Sequence, residues 1–269
     1  MNCIPLHFIR FSYFHAHHSL FFSKSTIFKE VHLFTTNPKK YKLFNEDNIS
    51  FMKKLPNSSI DLILTDPPYN LTPFSRGNIH LKNGRTIHNN IASWDTIPLI
   101  PQTYIEPFTR ILKPTGNIFI FTSYSLLGQW YDAFNPIFST FQIFVWHKTT
   151  PTASVYKNSF LNSCELVICL WNKGHTWNFT TNSQMHNFFE CPSCTYPEKL
   201  TSPKHPTQKP LALIEHLLMI ASNPNDIVFD PFMGVATTGE ASLKNNRRFI
   251  GTDIDVNYVK SSLKRLSKY

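Results

Sequence analysis

Asp226-Ile227-Val228-Phe229-Asp230-Pro231-Phe232-Met233-Gly234-Val235-Ala236-Thr237-Thr238-Gly239 reads as a strand that feeds a tight turn and then a helix. Gly234 lets the backbone pass close to a ligand, and the N–H groups of a helix N-terminus follow it. A second strand, Phe249-Ile250-Gly251-Thr252, ends at Asp253. An acid in that position is placed to accept hydrogen bonds from ribose hydroxyls. The unit lacks the G-x-G-x-x-G spacing of a dinucleotide site, which disfavours NAD and FAD. Asp230, directly after its strand, would repel a phosphate but suits a cationic or amino-bearing ligand. Taken alone, the same stretch also fits an ordinary strand-turn-helix corner.

Outward from this unit, strands and helices alternate. Ordered patterning begins near Tyr41, with a short helix over Asn45–Leu55 and a buried strand over Ile60–Thr65. Residues 70–99 are polar and aperiodic and read as one long loop. The pattern then predicts a helix over Tyr104–Leu112, a turn at Lys113-Pro114-Thr115-Gly116 and a strand over Asn117–Thr122. A helix over Leu126–Phe134 and strands over Phe141–Trp146 and Glu165–Trp171 follow. Residues 172–205 show no period. Pro210–Ser222 carries Leu211, Ile214, Leu217, Leu218 and Ala221 on one helical face, and Pro210 suits its first turn. Helices over Thr237–Lys244 and Val256–Leu266 flank the last strand. Such alternation indicates an α/β fold with a mostly parallel sheet and helices on both faces.

A second constellation is Asp66-Pro67-Pro68-Tyr69, at the carboxyl end of the strand over Ile60–Thr65. Open α/β sheets bind ligands at that end. The prolines fix the backbone so that the Asp66 carboxylate and the Pro67 carbonyl can face one spot. Two acceptors match an amino group with two N–H donors, and they stabilise positive charge developing on its nitrogen. Tyr69 supplies a ring for stacking a planar base. A rigid Pro-Pro turn without function is the competing reading.

The chain has 269 residues, 26 Lys+Arg against 17 Asp+Glu, and a formal charge of +9. The length fits one large domain with insertions. The charge favours a polyanionic partner, although a protein can simply be basic. Five cysteines in a chain this long are no disulfide framework and point to a reducing cytoplasm. No apolar run reaches the ~18 residues of a membrane span. The apolar, aromatic start is broken by Arg10 and by His15, His17 and His18, and reads as neither a signal peptide nor a metal site. Residues 1–38 are expected to be a disordered extension, and residues 39–269 the folded domain.

Asp66-Pro67-Pro68-Tyr69-Asn70, the Asp230–Gly239 turn and His205-Pro206-Thr207-Gln208-Lys209-Pro210 together resemble the amino-methyltransferases of DNA. The order, catalytic motif before cofactor motif, matches the beta group of that family. The Trp94-Asp95 pair, Leu112–Phe121, Phe144–Lys148 and Phe249–Asp255 agree with it. The resemblance covers about residues 41–267. It implies a Rossmann-like fold that uses S-adenosylmethionine, with an inserted target-recognition region at about 148–204 and a cofactor unit at about 205–269.

By the same resemblance, Asp66 and Pro67 bind the target amino group, Pro68 completes the motif, and Tyr69 stacks a flipped base. Asp230, Phe232 and Gly234 line the methionine side of the cofactor, Asp253 meets its ribose, Asp47 its adenine, and Lys209 closes the pocket. Two positions depart from the family: Ala236 stands where it has a second turn glycine, and Asp253 where Glu is common.

The expected activity is methylation of the exocyclic amino group of adenine in duplex DNA. Asp at position 66 favours adenine over cytosine through the resemblance alone. No cysteine lies beside the Pro-Pro turn, which disfavours carbon-5 cytosine chemistry. RNA or protein methylation and a degenerate DNA-binding module are the competing functions. Arg76, Lys82 and Arg85, in the long loop, and Lys148 are expected to contact DNA. A cognate restriction endonuclease and a second copy of the chain are candidate partners; no membrane is expected. Cys191-Pro-Ser-Cys194 is one CxxC without a second pair, so no metal is expected there.

Overall fold

The computed structural model describes residues 33–35, 37–70, 79–80, 86–87, 98–152, 158–200 and 205–269. The first elements are β1 (Leu33–Phe34), β2 (Tyr41–Asn45), α1 (Asn48–Met52) and β3 (Ile60–Thr65). The short strands β4 (Ile79–His80) and β5 (Thr86–Ile87) pair antiparallel. A 3-10 turn (Pro101–Tyr104) leads into α2 (Ile105–Ile111), β6 (Leu112–Thr122) and α3 (Leu127–Phe134). Then come β7 (Thr140–Lys148), β8 (Cys164–Trp171) and β9 (Phe188–Cys191). The chain continues through α4 (Leu211–Ala221), β10 (Ile227–Asp230), α5 (Thr237–Lys244), β11 (Arg248–Asp253) and α6 (Val256–Leu266).

Nine strands form one sheet in the order β1-β2-β11-β10-β3-β6-β8-β7-β9. The run from β2 to β6 is parallel throughout. The strand β8 is antiparallel to both β6 and β7, and β1 is antiparallel to β2. Both faces are buried, and side chains alternate between them as the two-residue strand period requires. Ile118, Ile120, Ile168 and Leu170 pack with α1, α2 and α3. Phe119, Phe121, Val167 and Cys169 face the layer of α4, α5 and α6. From β10 the chain crosses to β11 on one side, while β3 leads to β6 on the other. The carboxyl ends of β3 and β10 therefore meet at the point where strand order reverses, which opens a crevice.

Four expectations are corrected. Leu33–Phe34 lies within the expected disordered extension yet pairs with Leu43 and Phe44 of β2. A two-residue strand carries too little pattern to be seen in sequence. The turn at Lys113–Gly116 is a register shift inside β6, where Ile60 pairs with Leu112 but Leu62 with Asn117. The aperiodic stretch 172–205 contains β9, a sheet-edge strand in which three of four residues are not buried. The long loop likewise holds the β4–β5 pair. Arg76, Lys82, Arg85, the Trp94-Asp95 pair and most of residues 1–38 lie outside the described residues.

Candidate active site

A cavity of about 510 Å³ opens along the carboxyl ends of β2, β3, β10 and β11. Asp47, Asp66, Asp230 and Asp253 all line it. Each is the residue at or just beyond a strand end, so the parallel topology brings together four acids that are scattered in sequence.

The turn after β10 is built mainly by main chain. Gly234 has φ of +50°, and a side chain there would stand 2.9 Å from the His205 ring. Glycine meets both demands without strain. Ala236 is also left-handed, with φ of +55°, at the N-cap of α5. The helix α6 holds this turn from below: Ser262 donates to the Gly234 carbonyl at 2.9 Å, and Arg265 to the Val235 carbonyl at 3.1 Å. Arg265 also pairs with Glu240 of α5, which accepts from Lys268 at 2.6 Å and from Tyr269 at 3.1 Å.

Asp253 accepts from the Gly234 N–H at 3.0 Å and the Asp255 N–H at 2.8 Å. Burial nevertheless pushes its carboxyl up to about 7. Asp230 accepts from the Thr65 hydroxyl at 2.7 Å and the Phe232 N–H at 3.1 Å. Burial lifts it to about 6. A cationic ligand or a polyol would relieve both, since each favours the ionised carboxylate. Asp47 caps α1 through the Ser50 N–H at 2.9 Å and stands at the β2 side of the cavity. The Phe232 ring lies 5.7 Å from that of Tyr104, another cavity residue.

At the other end, Asp66 engages both carboxylate oxygens. Oδ1 accepts from the Tyr69 hydroxyl at 2.7 Å, and Oδ2 from the Lys209 ammonium at 2.5 Å. Lys209 also lies 3.2 Å from Glu165 Oε2, and Glu165 Oε1 is 2.7 Å from Lys148. The Tyr69 hydroxyl reaches Glu165 as well, at 3.2 Å. The Lys209 ammonium sits against the rings of Tyr69 and Phe121, at 5.3 and 5.1 Å. Pro67 and Pro68 complete the wall.

Two carboxylates thus share one ammonium, while Lys148 serves Glu165 alone. Burial, then the Glu165 charge, raises Asp66 above the usual carboxylate range despite Lys209. Burial pushes Glu165 the same way, but Lys209 and Lys148 outweigh it and hold that acid below its usual range. The two carboxylates are thus driven in opposite directions, Asp66 toward the protonated form and Glu165 toward the ionised one.

Two residues stand differently from expectation. Lys209 lines the cavity, but its ammonium is turned to Asp66 and Glu165, because those acids are the buried counter-charges within reach. Lys148, expected on DNA, is ion-paired to Glu165 with only 14% of its side chain exposed. Glu165 was missed as a site residue. The available signal was a lone acid at the head of the apolar run Leu166–Trp171, since acids are seldom buried without a partner. Cys191 and Cys194 are buried free thiols, and among the described residues no cluster of three or more His, Cys, Asp or Glu could hold a metal ion.

The family model for DNA methylases of the N6/N4 type matches residues 60–264. The chain belongs to that family. Among its DNA methylase relatives, the type II methyltransferase M2.DpnII of Streptococcus pneumoniae is 28% identical over 248 residues, spanning 86% of this chain and 91% of its own. The type II methyltransferase M.HinfI of Haemophilus influenzae is 30% identical over 241 residues, spanning 82% and 66% respectively. A crystal structure of the M1.HpyAVI–SAM complex superposes with a TM-score of 0.60 at 25% identity, covering 84% of this chain and all of that one. The Rossmann-like methyltransferase fold of the family is the one described above. Among the described residues, no helix is long and apolar enough to cross a membrane.

Proposed function

We propose that this DNA methylase transfers a methyl group from S-adenosylmethionine to the exocyclic amino group of adenine in duplex DNA. The observation that carries the reading is one cavity with Asp253 at one end and the Asp66–Tyr69 motif at the other. Asp253 suits ribose hydroxyls, and Asp230 between the two ends suits a ligand bearing a cationic charge. When bound, the cofactor supplies an electrophilic methyl group.

The chain's own residues do the rest. The target base must leave the duplex to reach a cavity at the strand ends. Asp66 and the Pro67 carbonyl accept from its two N–H groups, which orients the nitrogen lone pair away from the ring plane. Asp66 then takes the proton that the nitrogen loses as it gains the methyl group. Its raised proton affinity suits this role. Positioning and electrostatics supply the acceleration, and no cysteine nucleophile takes part.

Target recognition falls to about residues 148–204, and phosphate contacts to Arg76, Lys82 and Arg85 of the stretch over residues 70–99. The type II designation of both curated relatives makes a cognate restriction endonuclease a candidate partner, in the cytoplasm where DNA resides. Asp66 favours adenine over cytosine by resemblance to the family. The test is nucleoside mass spectrometry of bacterial genomic DNA, unmethylated beforehand, after incubation with the protein and cofactor. N6-methyladenine is the expected product; N4-methylcytosine alone overturns the choice of base.

A further inference from the structure

We propose that Glu165, which lies outside every motif of the chain, is a positioning residue for the reaction. It anchors the Lys209 ammonium and the Tyr69 hydroxyl against Asp66, and its charge sets the field in which Asp66 works. The inference rests on the reading that Asp66 receives the target amino group.

Topology explains how a residue at the start of a strand reaches a site built at strand ends. The strand β8 runs antiparallel to β6, so its first residues lie at the edge where β3 and β6 finish; Leu166 pairs with Thr122. The strand β7 runs opposite to β8, so its last residue, Lys148, arrives at the same edge, where Trp146 faces Glu165 across the pair. Glu165 Oε2 then sees both groups that touch Asp66: Lys209 Nζ at 3.2 Å and Tyr69 Oη at 3.2 Å. Its other oxygen is held by Lys148 at 2.7 Å. The Glu165 side chain is 17% exposed, so water screens this network only in part.

The charge count matters. Asp66 is faced by Lys209 from the segment before α4, by Glu165 from β8 with Lys148 of β7 behind it, by Asp230 from β10, and by Tyr69 of its own loop. With Glu165 present, two ammoniums meet its carboxylate and that of Asp66, with Asp230 beyond. Without it, one negative charge is lost, Lys209 and Lys148 face Asp66 less balanced, and the more positive field opposes a nitrogen that is becoming cationic. It also lowers the proton affinity of Asp66, because the Glu165 charge raises it. Lys148 acts in the opposite sense: removing it leaves the Glu165 charge less balanced and raises the proton affinity of Asp66.

The experiment compares wild type, Glu165→Gln and Lys148→Met in single-turnover methyl transfer to unmethylated bacterial genomic DNA across pH. Glu165→Gln is expected to lower the rate by about tenfold or more at neutral pH, within the range of lost acid–base assistance. Its acid limb should move to lower pH by about one unit. That of Lys148→Met should move to higher pH, and cofactor affinity should stay within about threefold in both. Glu165→Asp should restore part of the rate. An unmoved acid limb in both variants assigns Glu165 a merely structural role and overturns the inference. Should Glu165→Gln fail to fold, the direction of the Lys148→Met limb decides. A wild-type chain that methylates no DNA overturns the functional reading and this inference together; an active wild type with unshifted variants overturns this inference alone.

Discussion

The two ends of the cavity hold their carboxylates by different means. Asp253 is gripped by the N–H groups of Gly234 and Asp255, both within a few residues of the strand ends that define the cofactor turn. Asp66 is gripped by side chains, Tyr69 beside it and Lys209 far along the chain, with Glu165 and Lys148 behind them. A main-chain grip follows once the turn has formed. A side-chain grip depends on the whole sheet closing first, and it carries net charges whose balance can be changed one residue at a time.

The largest effect expected from this contrast is at Asp66. Asp66→Ala removes the acceptor at the side-chain-built end and should lower methyl transfer by ~10²-fold or more. Calorimetry should show cofactor affinity near that of wild type, since the Asp253 end is untouched. Near-normal turnover would break the comparison at its first step.

A smaller effect is expected at the main-chain-built end. Asp253→Asn keeps the shape but loses the charge, and should weaken cofactor binding by ~1.5–3 kcal/mol. It also has a pH signature. Burial lifts the folded-state carboxyl to about 7, above the 3.8 of an ordinary Asp. A raised carboxyl contributes stability that is complete below pH of about 4 and lost as pH rises through about 7. The ligand-free variant should therefore gain stability relative to wild type between those values, by roughly 1–3 kcal/mol. Thermal melts at pH 4, 6 and 8 that keep a constant offset would contradict the burial of Asp253.

The smallest effect is at Ala236. Its φ of +55° suits glycine, so Ala236→Gly should stabilise the protein by ~1 kcal/mol and raise the melting temperature by about 2–4 °C. A lower melting temperature would show that the lost methyl group packs for more than the relieved backbone strain.

The same contrast explains what the sequence disclosed. Asp230, Gly234 and Asp253 were legible because strand, turn and helix signals sit beside them, and α5 and α6 fall where their patterns place them. Asp66-Pro67-Pro68-Tyr69 was legible for the same local reason. Glu165 was not, because its meaning depends on β8 running against β6, and nothing near Glu165 states strand direction. Lys148 and Lys209 were read as surface or cofactor groups for want of their shared partner. The strands β1 and β9 escaped because two and four residues carry too little periodicity.

The hydrogen bond from Thr65 to Asp230 ties the ends of β3 and β10, neighbours in space with most of the chain between them. At the far side of the sheet, Lys40 donates to the Tyr269 carbonyl at 2.6 Å, so the start of β2 touches the last residue. Sequence order and spatial order are thus separate properties of this sheet. Asp66 precedes Asp230 by 164 residues, yet the site depends only on β3 and β10 lying side by side.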